Sequence, residues 1–144
     1  MVRIREFSMK DYDLVRKVWE DSGLEIRPGD SKPDVRRKLT RDRGLFLVAE
    51  DQGVIVGTTM GAWDGRRGWI YHLGVLPEYR RRGVASRLVR EVERRMKDMG
   101  VLKVNAIVYD DNTPSLTLFR KMGFIPDRKS VLHGKLLGPP LAEV

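Results

Sequence analysis

The chain opens on an alternation of apolar and charged residues from Val2 to Phe7, which predicts a strand with one buried face. Ser8, with Asp11 three residues on, reads as a helix cap, and Leu14, Val15, Val18 and Trp19 then recur at helical intervals. Gly23 to Asp30 is a loop. Ser31 and Pro33 open a second short helix that carries Val35 and Leu39 and stops near Gly44. Three strands follow, Leu45 to Glu50, Val54 to Trp63 and Trp69 to Val75, joined by turns at Asp51-Gln52-Gly53 and at Asp64 to Gly68. An antiparallel meander is the economical arrangement. The period then lengthens: Val84, Ala85, Leu88, Val89, Val92, Met96 and Met99 mark an amphipathic helix that ends at Gly100. Leu102 to Tyr109 reads as a strand. Pro114 sits at a first helical position, capped by Asn112 or Thr113, in a helix ending at Gly123, and Val131 to Leu137 reads as a last strand. Strand, helix, strand and helix after a meander predict an α/β (α+β) domain: one mixed sheet with helices on its faces.

The length of 144 residues predicts a single domain spanning 1–144. The longest stretch without a charged side chain, Gln52 to Trp63, has 12 residues and is too short to cross a bilayer, so no membrane partner is expected. Arg3, Arg5, Glu6 and Lys10 leave no apolar signal core at the start, which makes the cytoplasm the default location. The absence of cysteine excludes disulfides, thiolate metal sites and a cysteine nucleophile. No metal site is expected.

Charge changes the picture. The net charge is +8, and residues 80 to 97 hold eight basic side chains against two acidic ones. Such a local field attracts a polyanion: a nucleic acid, an anionic surface or a phosphorylated cofactor. At its head lies Val75-Leu76-Pro77-Glu78-Tyr79-Arg80-Arg81-Arg82-Gly83-Val84-Ala85, where a strand runs out and a helix begins. Backbone N–H groups at that helix start have no intrahelical partner, and the helix dipole favours an anion there. Gly83 and Ala85 lack the bulk to hold an anion away, and each charge-assisted hydrogen bond would contribute roughly 1.5–3 kcal/mol. The spacing is neither that of a nucleotide-hydrolase phosphate loop nor that of a dinucleotide fingerprint.

Arg80-x-x-Gly83-x-Ala85 after Leu73-Gly74-Val75 resembles the acetyl-CoA signature of the Gcn5-related N-acetyltransferases. Asn112, Ser115, Leu118, Phe119, Lys121, Gly123 and Phe124 resemble that family's second signature. Leu47-Val48-Ala49-Glu50 with Ile55-Val56-Gly57 is similar to its central hairpin. The likeness covers residues 1 to about 137, closest to the small bacterial YpeA-type branch. It implies a mostly antiparallel sheet of six to seven strands with about four helices, and an acetyltransferase that moves an acetyl group from the co-substrate acetyl-CoA to an amine. It further implies that the turn of Arg80, Arg81, Arg82, Gly83, Val84, Ala85 and Ser86 binds pyrophosphate. By the same likeness, the strand at Leu73, Gly74 and Val75 splays from its neighbour to receive the pantetheine arm and the thioester carbonyl, and Asn112, Ser115 and Phe119 border that arm. Preorganised N–H donors aimed at a carbonyl gaining negative charge fit this chemistry. Arg87, Arg90, Arg94 and Arg95 are expected to face solvent instead.

Such transfer needs a neutral amine, and a lysine-like amine has a pKa near ~10.4, so a base must take its proton. His72, Glu50, Asp64 and Glu25 are compared for that base, and Tyr71, with His72 and Glu50, is a catalytic candidate in the cleft. Strand alternation predicts that if Tyr71 faces the acceptor cleft, His72 faces away. The family often supplies an acid from a tyrosine at the position held here by Phe119, which cannot donate; Tyr71, Tyr109, water or the acceptor's own proton are the alternatives. At most one of Trp19, Trp63 and Trp69 is expected in an acceptor wall, and His133 is expected to be structural. The Gly23 to Asp30 loop, with Glu25, Arg27 and Asp30, is the expected acceptor lid.

The competing reading is a basic nucleic-acid- or ribosome-associated protein, or an acetyltransferase acting on such a target. Residues 80 to 97 contain no aromatic side chain to stack on bases, which argues against nucleic acid as a partner. The acceptor amine, on a small molecule, peptide or protein, stays open, as does a homodimer.

Overall fold

The computed structural model describes residues 1–139. Its strands are β1 (Val2–Glu6), β2 (Phe46–Asp51), β3 (Val54–Trp63), β4 (Gly68–Val75) and β5 (Val104–Ala106). Its helices are α1 (Tyr12–Asp21), α2 (Lys32–Asp42), α3 (Val84–Asp98) and α4 (Thr113–Lys121). They form one five-stranded sheet in the order β1-β2-β3-β4-β5, antiparallel except for the parallel β4–β5 pair.

The sheet therefore has five strands where six to seven were expected. Leu102 to Tyr109 pairs only over its centre, because β5 has a partner on one side alone and its ladder stops at Ile70–Ala106. Val131 to Leu137 joins no ladder: Val131 and Leu132 are three-quarters or more exposed. An apolar run becomes a strand only where another strand satisfies its backbone. Among the described residues no helix is long and apolar enough to cross a membrane.

Phe46, Leu47, Val48 and Ala49 are all buried because helices cover both faces of the sheet. Phe46 and Val48 pack with Val15, Val18, Trp19, Val35 and Leu39 from α1 and α2. Leu47 and Ala49 pack on the opposite face with Leu88, Val89, Val92 and Met96 from α3. Leu14 is the exception to the expected α1 stripe, being 45% exposed.

Helix α3 lies unusually close to the sheet. A methyl group placed on Gly57 would stand 3.1 Å from Val84 and 3.3 Å from Leu88. One on Gly61 would stand 3.1 Å from Val92, and one on Gly68 only 2.5 Å from the Met96 sulfur. Val84, Leu88, Val92 and Met96, four residues apart, thus run along a track of glycines. Arg95 fastens the far half of the helix: it donates to Glu6 and Glu91 and to the Gly44 carbonyl. It is held among partners rather than free in solvent, contrary to expectation. Arg94 does stay on the surface, paired with Glu91 and Asp98.

The Ser8 cap forms as read: Asp11 accepts from the Ser8 N–H at 2.9 Å, closing a capping box on a short 3₁₀ turn. Asp11 also accepts two hydrogen bonds from Arg5, at 2.8 and 2.9 Å. The Arg5 guanidinium holds the Asp11 carboxyl below its ordinary range, so the folded chain binds that proton less readily than the unfolded chain. The resulting stabilisation is whole above about pH 4, where the unfolded carboxyl is already ionised, and is lost as pH falls through the lower folded value. Urea midpoints of the wild type and Asp11→Asn should therefore differ clearly near about pH 6 and converge towards about pH 3.

Candidate active site

Between β4, β5, α4 and the Gly23–Asp30 loop lies a cleft of about 270 Å³. Its existence follows from the sheet. The last β4–β5 bond is that of the Ile107 N–H to the Ile70 carbonyl, at 3.1 Å. Beyond it β4 is paired only with β3, so one edge of Tyr71 to Val75 faces the opening. Leu73 lines the cleft from that edge, as the resemblance implied. Asn112, Ser115 and Phe119 line it from α4. Asn112 is also the cap of α4, its side-chain oxygen accepting from the Ser115 N–H at 3.2 Å. Phe119 is buried edge-on against Phe124, with ring centroids 4.9 Å apart, and brings no proton donor.

The start of α3 lies just past the end of β4. Gly83 is its cap, in the left-handed conformation at φ 76°, with nothing within 4 Å of where a side chain would begin. The first N–H bonded within the helix is that of Arg87, to the Gly83 carbonyl at 3.0 Å. No side chain caps the N–H groups that precede it and no acidic residue lies in the first turn. Val84 points into the core, while Ala85 and Ser86 are half-buried. Arg80, Arg81 and Arg82 are exposed around this turn; Arg81 also adopts a positive φ of 63°, and Arg82 stacks 4.9 Å from the Tyr79 ring centre. Tyr79 in turn donates to Asp51 at 2.7 Å, which anchors the turn to the β2–β3 hairpin. Further along α3, Arg94 and Arg95 are paired with acids, whereas Arg87 and Arg90 are exposed. Arg87 reaches the Val2 carbonyl at 2.9 Å.

The predicted bases are not all brought together. Glu50 is held by Arg3 and Arg5, at 2.9 and 3.0 Å, and does not line the cleft. Its carboxyl lies below the usual range because Arg5, then Arg3, donates to it. Asp64 accepts from two turn N–H groups and from Trp69, which hold it at about 2, also outside the cleft. Glu25 is at the cleft but exposed and paired with Arg27 at 3.1 Å. Tyr71 lines the cleft, and burial, with Asp42 and Asp30 nearby, pushes its hydroxyl up to about 12, which keeps it protonated.

His72 overturns the alternation rule. It adopts φ 53°, and the β3–β4 register slips between Thr58–Gly74 and Met60–Tyr71, so His72 and Leu73 together occupy the place opposite Thr59. A left-handed non-glycine residue within a strand costs on the order of 1–3 kcal/mol and persists only where its surroundings enforce it. The bulge sets Tyr71 and His72 on the same side, with rings 5.7 Å apart, and both line the cleft. His72 Nε2 lies 2.8 Å from Asp30 Oδ2, and Trp19 stands edge-on to the imidazole at 5.2 Å. None of the three tryptophans lines the cleft: Trp19 is fully buried behind His72, Trp63 packs on the α3 side and Trp69 serves the Asp64 turn. His133 is exposed, its ring bonded to the Val131 carbonyl.

The Gly23–Asp30 loop, expected as the acceptor lid, lies at the cleft. Leu24, Glu25 and Arg27 border the cleft, and Arg27 donates to the Tyr109 hydroxyl while its guanidinium lies 5.1 Å from that ring centre. Asp30 is the residue that sequence reasoning undervalued. It was named with the lid, but its partner His72 lies 42 positions away, and that pairing is not encoded by any local pattern. Beneath the lid, a methyl group on Gly74 would stand 2.6 Å from Ser22 Oγ and 3.1 Å from Leu24. Gly74→Ala should therefore destabilise the fold by about 1–3 kcal/mol through overpacking, and Ser22→Gly in the same chain should recover part of it. Thermal melts of the two variants check this.

Comparison with known proteins agrees with this geometry. Residues 4–124 match the model of the acetyltransferase (GNAT) family. An acetyltransferase of Photorhabdus laumondii is 42% identical over 139 residues, covering 94% of this chain and 96% of that one. An acetyltransferase of Sodalis glossinidius is 39% identical over 137 residues with the same coverage. The solved PaiA N-acetyltransferase of Thermoplasma acidophilum, in complex with coenzyme A, superposes with a TM-score of 0.80 at 22% identity, over 88% of this chain and 91% of that one. That last likeness speaks to the fold. With a family model spanning most of the sequence and relatives matched almost end to end, the chain belongs to the acetyltransferase (GNAT) family.

Proposed function

We propose that this protein transfers an acetyl group from acetyl-CoA to an amine by direct attack, in the cytoplasm and as the single domain 1–144. The observation that carries this reading is the conjunction of an uncapped, left-handed helix start at Gly83 with the unpaired edge of β4. The first suits a diphosphate: free N–H groups at the positive end of a 15-residue helix, flanked by three exposed arginines, surround a spot that no side chain occupies. The second suits an amide-bearing arm, because backbone donors and acceptors from Tyr71 to Val75 lie open beside Leu73, Asn112, Ser115 and Phe119. The PaiA protein, which has this fold, was solved with coenzyme A bound, in line with that assignment.

In the reaction, the chain's own part is to orient the thioester between the β4 edge and α4 and to offer N–H groups to its carbonyl as charge builds there. Phe119 supplies surface only. Tyr71, kept protonated by burial, is the cleft's hydroxyl donor.

Acetyl-CoA at about a hundredfold excess over its Kd should stabilise the fold by about 2.7 kcal/mol, seen as a rise in Tm. Gly83→Asp should abolish that rise, since it sets a negative charge among the N–H groups. Gly83→Asn tolerates the same left-handed backbone without the charge and should keep part of it. An equal Tm rise in the wild type and Gly83→Asp would remove the anion site from this turn.

A further inference from the structure

We propose that His72 and Asp30 form the proton-accepting pair of this cleft, with His72 Nδ1 receiving the proton of the acceptor amine and Asp30 acting as the positioning residue. The proposal rests on the transferase reading above and adds to it the group that frees the amine.

The geometry assigns the tautomer. Asp30 Oδ2 accepts the Arg27 backbone N–H at 2.8 Å and lies equally close to His72 Nε2. A carboxylate oxygen only accepts, so Nε2 carries the hydrogen and Nδ1 of the neutral ring keeps its lone pair. Asp30 is itself fixed: its carbonyl accepts from the buried Tyr12 hydroxyl at 2.7 Å, and it is 5% exposed. Trp19, edge-on to the imidazole, and the bulge at φ 53° hold the ring against rotation. A backbone distorted at one residue of a strand, at the one point that turns an imidazole into a cleft, is spent on that side chain's position.

The charges that face this pair come from every side. The lid contributes Glu25 and Arg27, which neutralise each other. Helix α2 contributes Lys38 and Asp42, paired at 3.0 Å beneath Tyr71, and α1 contributes Arg16, which donates to the Tyr12 hydroxyl. Across the cleft stands the Tyr109 hydroxyl, occupied by Arg27. Asp30 is thus the acid in direct contact with the ring. The protons balance: the acceptor ammonium gives its first to Nδ1, which passes it to water. The amine nitrogen then bonds to the acetyl carbon as the carbon–sulfur bond breaks, and the second nitrogen proton ends on the departing thiolate.

Two measurements test this on the full chain. The chain has two histidines, so ¹⁵N spectra of the imidazoles, assigned with His133→Gln, read the His72 tautomer directly. The expected form is Nε2–H, and Asp30→Ala should convert it to a mixture. An Nδ1–H form, or an Asp30→Ala spectrum like that of the wild type, overturns the proposal whatever the protein binds. Second, thiol release from acetyl-CoA is followed with hexylamine present. His72→Asn, which tolerates the left-handed backbone, should slow it by roughly 10²–10⁴-fold while leaving the acetyl-CoA rise in Tm intact. An undiminished rate overturns the base assignment alone. A wild type whose Tm acetyl-CoA does not move overturns the transferase reading and this proposal with it.

Discussion

The structure depends on how closely α3 can approach the sheet. Gly57, Gly61 and Gly68 remove the side chains that would hold the helix off, and Val84, Leu88, Val92 and Met96 fill the space. Packing at that distance fixes the helix both along and around its axis, because interiors do not deform continuously. The consequence is felt at the helix start. Gly83 and the N–H groups after it are set just past the point where β5 leaves β4, beside the open strand edge. Two features that are commonplace apart become a site because a run of glycines brings them into register.

On the other face a second constraint shapes the cleft. The bulge at His72 costs the sheet a regular pairing and sets a left-handed residue in a strand. What it gains is two consecutive aromatic side chains on the same side, within reach of the loop that ends at Asp30. That loop is stitched at several places: Arg27 to Tyr109 across the cleft, Tyr12 to the Asp30 carbonyl, and Gly74 close beneath Ser22.

The charges divide in the same manner. Much of the basic surplus in residues 80 to 97 is spent locally, Arg94 on Glu91 and Asp98 and Arg95 on Glu6 and Glu91. Arg80, Arg81 and Arg82 stand exposed around the helix start, and Arg87 and Arg90 are exposed further along α3.

The sequence by itself determined the helices, the opening strand, the β2–β4 meander and the turn at the start of α3, because each is written in local periodicity or in a short run such as Arg80-x-x-Gly83-x-Ala85. Apolar spacing decides which face of α3 is buried, and Asn112 caps α4 through its own neighbours. Only the tertiary structure decided the rest. Val131 to Leu137 has a strand's composition but finds no ladder, and Leu102 to Tyr109 pairs over three residues, because strand pairing is a property of the partner. Glu50 was chemically eligible as a base until Arg3 and Arg5, distant in sequence, set its protonation and place. His72 was judged by strict alternation, which one bulge reverses; its carboxylate partner stood 42 residues away, a separation that no periodicity in the chain encodes.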